Sequence, residues 1–310
     1  MLPTIKMLMV SLTHLFMLGR PLHLLGGFLF VSLGAATAHT AGASISWPRL
    51  LWGIVVTGAL QLMMHYSNDY FDLDADTANF SPTPWSGGSR ILPDQKLGPT
   101  LALRAALVCG ALGGVGGALL AFTGPAPHET LALIGAVIVL SWGYSAPPLW
   151  LNRRGLGEIA GTLVLVGLTV SFGYQLQAGS LGGLPLLVSL PLIPMQFAML
   201  LAMNFPDAVG DNAVGKRTLV VQLGVGRAAR LYIAALLAAY VGLPLLVLAG
   251  LPLLVAGLLL LGAPLACWLV FQVARDAWHD PTRWEMLGFW SIGLLMSSGA
   301  LALIGFMLTA

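Results

Sequence analysis

Six of the twelve acidic residues in this chain fall in two short clusters, Asn68-Asp69-Tyr70-Phe71-Asp72-Leu73-Asp74-Ala75-Asp76 and Asp207-Ala208-Val209-Gly210-Asp211. The sequence as a whole is 57% hydrophobic and only 8% charged, so carboxylates gathered within it are costly without a compensating partner. A divalent cation is the partner their chemistry favours. Carboxylate oxygens are hard ligands, and Mg2+ is usually held by a few of them together with the phosphates of a substrate. A helix carried through the first cluster at about 100° per residue sets Asp69, Asp72 and Asp76 within about 60° of one another, with Asn68 beside Asp72 and Asp74 on the opposite side. Asp207 and Asp211 are four residues apart and share a helix face as well. Like charges at this spacing repel unless something positive lies between them. The expected metal-binding set is therefore Asn68, Asp69, Asp72, Asp76, Asp207 and Asp211, with Mg2+ as the cofactor. The plainer alternative is a charged helix end at a membrane surface.

Cations and backbone donors follow each cluster. Lys216 and Arg217 come just after the second, and Trp85-Ser86-Gly87-Gly88-Ser89-Arg90 comes after the first. Paired glycines let consecutive N–H groups turn toward an anion, and arginine presents a fork that matches phosphate oxygens. Taken separately, Lys216 and Arg217 have the alternative reading of membrane anchors, and Gly87 and Gly88 that of a plain turn. Together with the acids they describe a site for a metal and a polyphosphate-bearing molecule. His65, one turn before Asp69, either touches a second substrate or meets a nearby carboxylate.

The elements that must position these groups are membrane helices. With 310 residues, 38 Gly, 19 Pro and a mean hydropathy of +0.88, the composition is that of an all-α polytopic membrane protein. Apolar runs predict nine transmembrane helices bundled around a central cavity: 22–42, 50–66, 100–122, 130–144, 156–175, 184–203, 228–250, 251–271 and 286–308. Residues 1–20, with Lys6, His14 and Arg20 among Met, Leu and Phe, read as an interfacial amphipathic segment of one integral-membrane domain spanning 1–310. With a cytoplasmic N-terminus, nine spans put every Lys and Arg except Arg49 on or bordering the cytoplasmic side, the positive-inside pattern of a bacterial-type inner or plasma membrane. Both acidic clusters then open on that face. Asp72 to Asp207 and Asp76 to Asp211 are each 135 residues apart, which points to a diverged four-helix repeat. The net charge of +2 is too small to indicate a nucleic-acid partner, and Cys109 and Cys267 sit singly in apolar runs as packing residues.

The Asn68-Asp-x-x-Asp-x-x-x-Asp76 pattern, with Asp207-x-x-x-Asp211 followed by Gly215-Lys216-Arg217-Thr218, resembles the two signatures of the UbiA superfamily of intramembrane prenyltransferases. Arg20-Pro21 and Tyr144-Ser-Ala-Pro-Pro148 extend the resemblance over nearly the whole chain. Ser86-Gly-Gly-Ser-Arg90 and Arg154-Gly-Leu-Gly-Glu158 look most like the branch that prenylates 1,4-dihydroxy-2-naphthoate in menaquinone synthesis. Tyr144-Ser-Ala-Pro-Pro148 is closer to chlorophyll-synthase and tocopherol-type relatives. The resemblance implies an isoprenyl diphosphate donor bound through Mg2+ on the two acidic motifs, and an aromatic small-molecule acceptor. Lys216, Arg90 and one of Arg153 or Arg154 would neutralise the departing diphosphate. Tyr144 would steady the allylic cation or orient the diphosphate, or else serve as an interfacial anchor. Pro148 stands where related enzymes carry a lysine. Other acceptors stay open, among them homogentisate, 4-hydroxybenzoate, a chlorophyllide and a polyol phosphate. An ion-coupled transporter is the reading from a different class, although it would be expected to carry its acids near mid-membrane.

Overall fold

A computed structural model describes the backbone of residues 2–310 and the side chains of residues 9–310, so Lys6 lies outside the described side chains. A chain in hydrocarbon must satisfy its backbone polar groups internally, and no strand occurs among the described residues. The first half comprises α1 (Leu2–Leu18), α2 (Pro21–Thr40), α3 (Trp47–Phe71), the short α4 (Leu73–Ala78), α5 (Pro99–Phe122) and α6 (Pro127–Ser145). A 3-10 turn at Leu151–Arg154 leads into α7 (Gly157–Thr162), a π-helical turn (Leu163–Leu168) and α8 (Thr169–Ala178), which run on as one helix. Next come α9 (Gly183–Asn204), the short α10 (Ala208–Ala213) and α11 (Leu219–Leu223), and then α12 (Val225–Val241), α13 (Leu243–Leu248), α14 (Leu253–Leu260) and α15 (Ala263–Ala274). The described chain ends in α16 (Pro281–Thr309). Proline at the first turn starts α2, α3, α5, α6 and α16, where its missing N–H removes no helical hydrogen bond.

Length and composition account for up to eight of the nine expected spans among the described residues. Seven helices among the described residues are long and apolar enough to cross a bilayer, and α14 with α15, bent by 42°, makes an eighth when taken as one broken span. The predicted run 130–144 lies within α6, a helix of 19 residues with His128 and Glu129 in its first turn, which shortens its apolar length. The run 251–271 is interrupted at Leu261-Gly262, where α14 gives way to α15. At the N-terminus, α1 buries Leu18 against Leu62 and Tyr66 and turns Met9, Leu12, Phe16 and Met17 outward.

Two helices that frame the interior touch backbone to backbone. A Cβ on Gly34 of α2 would lie 2.0 Å from the Val170 carbonyl oxygen, and one on Gly173 of α8 would lie 2.0 Å from the Val31 carbonyl oxygen. This small-residue seam is how membrane helices approach closely without a hydrophobic driving force. Gly34→Ala is expected to cost about 1–3 kcal/mol through overpacking and to lower the unfolding temperature in detergent. Gly135→Ala, at a position with nothing within 4 Å, is the neutral control.

Candidate active site

The two acidic clusters meet at one end of the bundle. The second predicted span does not continue straight through its cluster: α3 ends at Asp72, which has φ −99° and ψ 7°, and α4 starts there. The Asp72 N–H still donates to the Asn68 carbonyl (2.9 Å) and the Asp72 carbonyl accepts from Asp76 N–H (2.8 Å), so the break costs few hydrogen bonds while it re-aims the acids. Asp69, Asp72 and Asp76 are buried and Asp74 is exposed. Helix α4 packs against α10, which carries the second cluster. Gly210 permits this approach, because a Cβ there would stand 3.0 Å from the backbone of Asn79.

Lys216 ties the clusters together. Its Nζ lies 3.1 Å from Asp72 Oδ2 and 3.2 Å from Asp211 Oδ1, and all three side chains are buried. Burial disfavours the ammonium, but Asp72 and then Asp211 outweigh it and hold Lys216 protonated well above the usual lysine range. Asp72 is the hub of this network. It also accepts from Asn152 Nδ2 on both oxygens (3.1 and 2.8 Å) and from Asn68 Nδ2 (2.7 Å), and Asn68 and Asn152 share Ser145 Oγ as a further acceptor.

The remaining acids are held by the loop, by Asn79 and by Arg20, the N-cap residue of α2. Asp69 pairs with Arg20 and accepts from the Ser89 hydroxyl and from Ser89 N–H (3.1 Å). Asp207 accepts from Asn79 Nδ2 (2.7 Å) and from Gly87 N–H (3.2 Å). Gly87 and Gly88 both have φ +72°, and a Cβ on Gly88 would strike the Asp76 carboxylate at 2.1 Å. The glycine pair thus clasps the acids from above. Arg90 donates to the Asp76 carbonyl and sits 3.9 Å from Asp94. Arg153 Nη2 donates to the Phe71 carbonyl (3.0 Å), beside Asp72, while Arg154 Nη2 donates to the Pro148 carbonyl (3.2 Å) at the exposed surface. Arg217 is exposed and takes no part in the cluster's ion pairs.

Beneath the acids lies a chamber of about 170 Å³ whose lining includes Arg20, His65, Asn68, Tyr144 and Gln196. A second cavity of about 400 Å³ adjoins it and shares Arg20 and His23, with Trp85 and Arg90 on its wall. The Tyr144 ring rests against Gly157 and Gly161, facing inward rather than lying at the outer rim. His65 Nδ1 lies 2.8 Å from the Gly19 carbonyl. A carbonyl can only accept, so Nδ1 carries the proton and Nε2 is left with its lone pair.

Residues 28–303 match the UbiA prenyltransferase family. The chain belongs to that family. It is therefore an enzyme of the membrane, a prenyltransferase. It is 30% identical over 210 residues to the 1,4-dihydroxy-2-naphthoate octaprenyltransferase of Mycobacterium leprae, covering 67% of this chain and 68% of that one. It is 25% identical over 282 residues to the 2-carboxy-1,4-naphthoquinone phytyltransferase of Synechocystis, with 89% and 87% covered. Its fold matches a UbiA homolog from Archaeoglobus fulgidus bound to GPP and Mg2+ with a TM-score of 0.59 at 13% identity, covering 93% of this chain and 99% of that one.

The donor set of this UbiA family member fits a hard divalent cation. Among the described residues no three acids are already drawn together as a closed metal cluster. What they offer is an open set, as expected of an ion that takes part of its shell from phosphate. Asp211 Oδ2 is buried with no partner, and burial followed by Asp69 and Asp72 pushes the Asp76 carboxyl well above its usual range. Asp207 is likewise pushed up to about 7, by burial first and then by Asp211. One lysine leaves this group short of positive charge, which a bound cation would supply.

Sequence reasoning left several members of the network unassigned. Arg20 pairs with an acid 49 residues away, and nothing local announces that partner. Asn79 and Asn152 are polar residues next to loops, unremarkable until the fold sets them on Asp207 and Asp72. Glu158, quoted only as part of a motif, accepts from Asn204 Nδ2 (2.9 Å) and Leu219 N–H (3.2 Å), and so anchors the segment that delivers Lys216.

Removing the Lys216 charge leaves Asp72 and Asp211 buried without their cation. Lys216→Met is expected to destabilise the metal-free protein by about 3–5 kcal/mol. Added Mg2+ should recover part of that loss in a thermal-unfolding series, whereas wild-type protein should gain less from the metal.

Proposed function

We propose that this enzyme transfers a polyprenyl group from an isoprenyl diphosphate to 1,4-dihydroxy-2-naphthoate, with Mg2+ as cofactor, in menaquinone biosynthesis. The observation that carries the reading is Lys216 set between Asp72 and Asp211, which fastens both acidic motifs over one chamber. Both relatives described above are named for naphthalene-type acceptors, which supports a bicyclic aromatic acid over a single-ring one. The named ligands of the Archaeoglobus homolog, GPP and Mg2+, support the donor class and the metal.

Asp76, Asp207 and Asp211 are the acids with most to gain from the metal, and Asn68, Asp69 and Asp72 complete the set around it. When bound, Mg2+ supplies charge neutralisation to the diphosphate oxygens. The chain's own cations do the same from the protein side. Lys216 is already dehydrated and fixed, so it needs no reorganisation as negative charge grows on the leaving oxygen. Arg20, Arg90 and Arg153 stand around the same mouth, with Arg154 and Arg217 at its outer edge, and the Gly87-Gly88 backbone closes over it. The departing diphosphate keeps the electron pair of the C–O bond. An aromatic carbon then forms the new bond to the allylic carbon and loses its proton or its carboxyl group as CO2. Tyr144 faces the chamber where that cation would lie, and the surrounding apolar wall keeps water from quenching it to an alcohol. In this reading the acids open on the cytoplasmic side, α6 counts as a span to complete nine, and the two acidic motifs descend from one repeated four-helix unit.

Purified protein incubated with Mg2+, labelled geranylgeranyl diphosphate and a panel of aromatic acids is expected to yield a prenylated naphthalene product by mass spectrometry of the lipid extract. Chelation should abolish product. Asp72→Asn and Asp211→Asn should each lower transfer by about 100-fold or more. The reading fails if Asp72→Asn leaves transfer of label intact while it stops flux of a solute into liposomes.

A further inference from the structure

Joining a prenyl group to a hydroxylated ring leaves a proton to be placed, in a chamber whose apolar wall keeps away the water that would otherwise take it. Few groups there can accept one. Among the described residues no Asp or Glu lines the chamber, and of its side chains only His23 and His65 carry a nitrogen basic enough to be protonated near neutral pH. The glutamines of the wall do not stand in for them, since the Oε1 atoms of Gln61 and Gln196 are sealed from the chamber.

The two imidazoles differ in how they are held. His65, on α3 one turn before Asn68, is only partly buried and lines the chamber. Its Nδ1–H donates to the Gly19 carbonyl (2.8 Å), while Nε2 has no partner among the described residues and, unlike the two glutamine oxygens, keeps accessible surface. Gly19 is itself clamped on α3, because a Cβ there would lie 2.8 Å from Leu62 and 3.0 Å from the Tyr66 hydroxyl. The Gly19 carbonyl therefore fixes the tautomer of His65, aims Nε2, and is in place to stabilise an imidazolium once Nε2 is protonated. His23 meets the His65 ring edge-on at 6.0 Å between centroids and lines both cavities, but neither of its ring nitrogens is anchored among the described residues.

We propose that His65 Nε2 takes the proton of a ring hydroxyl as the aromatic carbon attacks the allylic carbon, which makes His65 the general base of the transfer. The proposal rests on the transferase reading above. The allylic C–O bond breaks and diphosphate keeps its electron pair, while the ring carbon supplies the pair for the new C–C bond. The O–H pair stays with oxygen, which forms a carbonyl, and the proton passes to Nε2. When the carboxyl group then leaves as CO2, its electron pair restores an enolate and the imidazolium returns the proton to that oxygen. His65 ends the cycle neutral, with Nδ1–H still on the Gly19 carbonyl.

The test compares wild type, His65→Asn and His65→Gln on 1,4-dihydroxy-2-naphthoate and on ring-fluorinated analogues with increasingly acidic hydroxyls, with Mg2+ and geranylgeranyl diphosphate present. Asparagine keeps a donor for the Gly19 carbonyl and has nothing in the place of Nε2, whereas glutamine puts a non-basic amide there. Both variants are expected to lower kcat by about 100–10,000-fold while the KM for the diphosphate stays within about twofold. The ratio of wild-type to variant kcat should fall along the series, because a hydroxyl that ionises unaided needs no base. The proposal is overturned if His65→Asn keeps the wild-type kcat, as it would if the diphosphate or His23 took the proton. It is overturned too if His65→Gln restores kcat, which would show a hydrogen-bonding role alone, or if the loss is equal across the series, which would show a packing role. Should His65→Asn fail to fold, His65→Gln carries the same comparison. If wild type transfers label to no hydroxylated aromatic acid, the transferase-to-naphthoate reading falls whatever the variants do, and this inference falls with it.

Discussion

The structure depends on a single ammonium placed between two carboxylates that belong to opposite halves of the chain. Lys216 reaches Asp72 at the end of α3 and Asp211 in α10, and every other feature of the acidic mouth is arranged around that bridge. A buried pair of this kind contributes little to stability when measured against apolar residues of the same volume, yet breaking it is severe. Its value is therefore in holding register. It fixes where two acidic helix ends lie relative to each other in a region that is too polar for lipid and too enclosed for water.

The rest of the polar network keeps that bridge aimed. Asn68 and Asn152, both also donating to Ser145 Oγ, donate to Asp72 and hold its carboxylate in place beside Lys216. Glu158 holds the start of α11 through Leu219 N–H, a few residues from Lys216. On the other side, Arg20 and Ser89 engage Asp69, and the glycine loop covers Asp76 and Asp207. The acids thus divide into a satisfied pair, Asp69 and Asp72, and a less satisfied set that includes Asp76 and Asp211 Oδ2.

Much of this was legible because acids are conspicuous in an apolar chain. The spacing within each cluster, the trailing Lys216 and the paired glycines were visible as residue types, and the helical character followed from composition. Contacts made by distance were not legible. A helical wheel drawn through Asn68–Asp76 cannot show that the axis breaks at Asp72, since the break keeps the i to i+4 hydrogen bonds and leaves no proline or glycine to mark it. Nor does hydropathy distinguish a continuous span from the bent α14–α15 pair, whose leucines are equally apolar on both sides of Gly262. In the sequence Arg20 is one charge of the interfacial segment, and only the fold reveals that it is paired with Asp69.

The contact through Gly34 and Gly173 has a mechanical corollary. Helices that meet main chain to main chain leave no room for a side chain between them, so α2 and α8 form a tightly packed jamb. Helix α9, which packs beside them, lacks two helical N–H donors at Pro191 and Pro194 and is the more deformable of the three. The enzyme's glycines and its prolines thus set which helices of the bundle are stiff and which are soft.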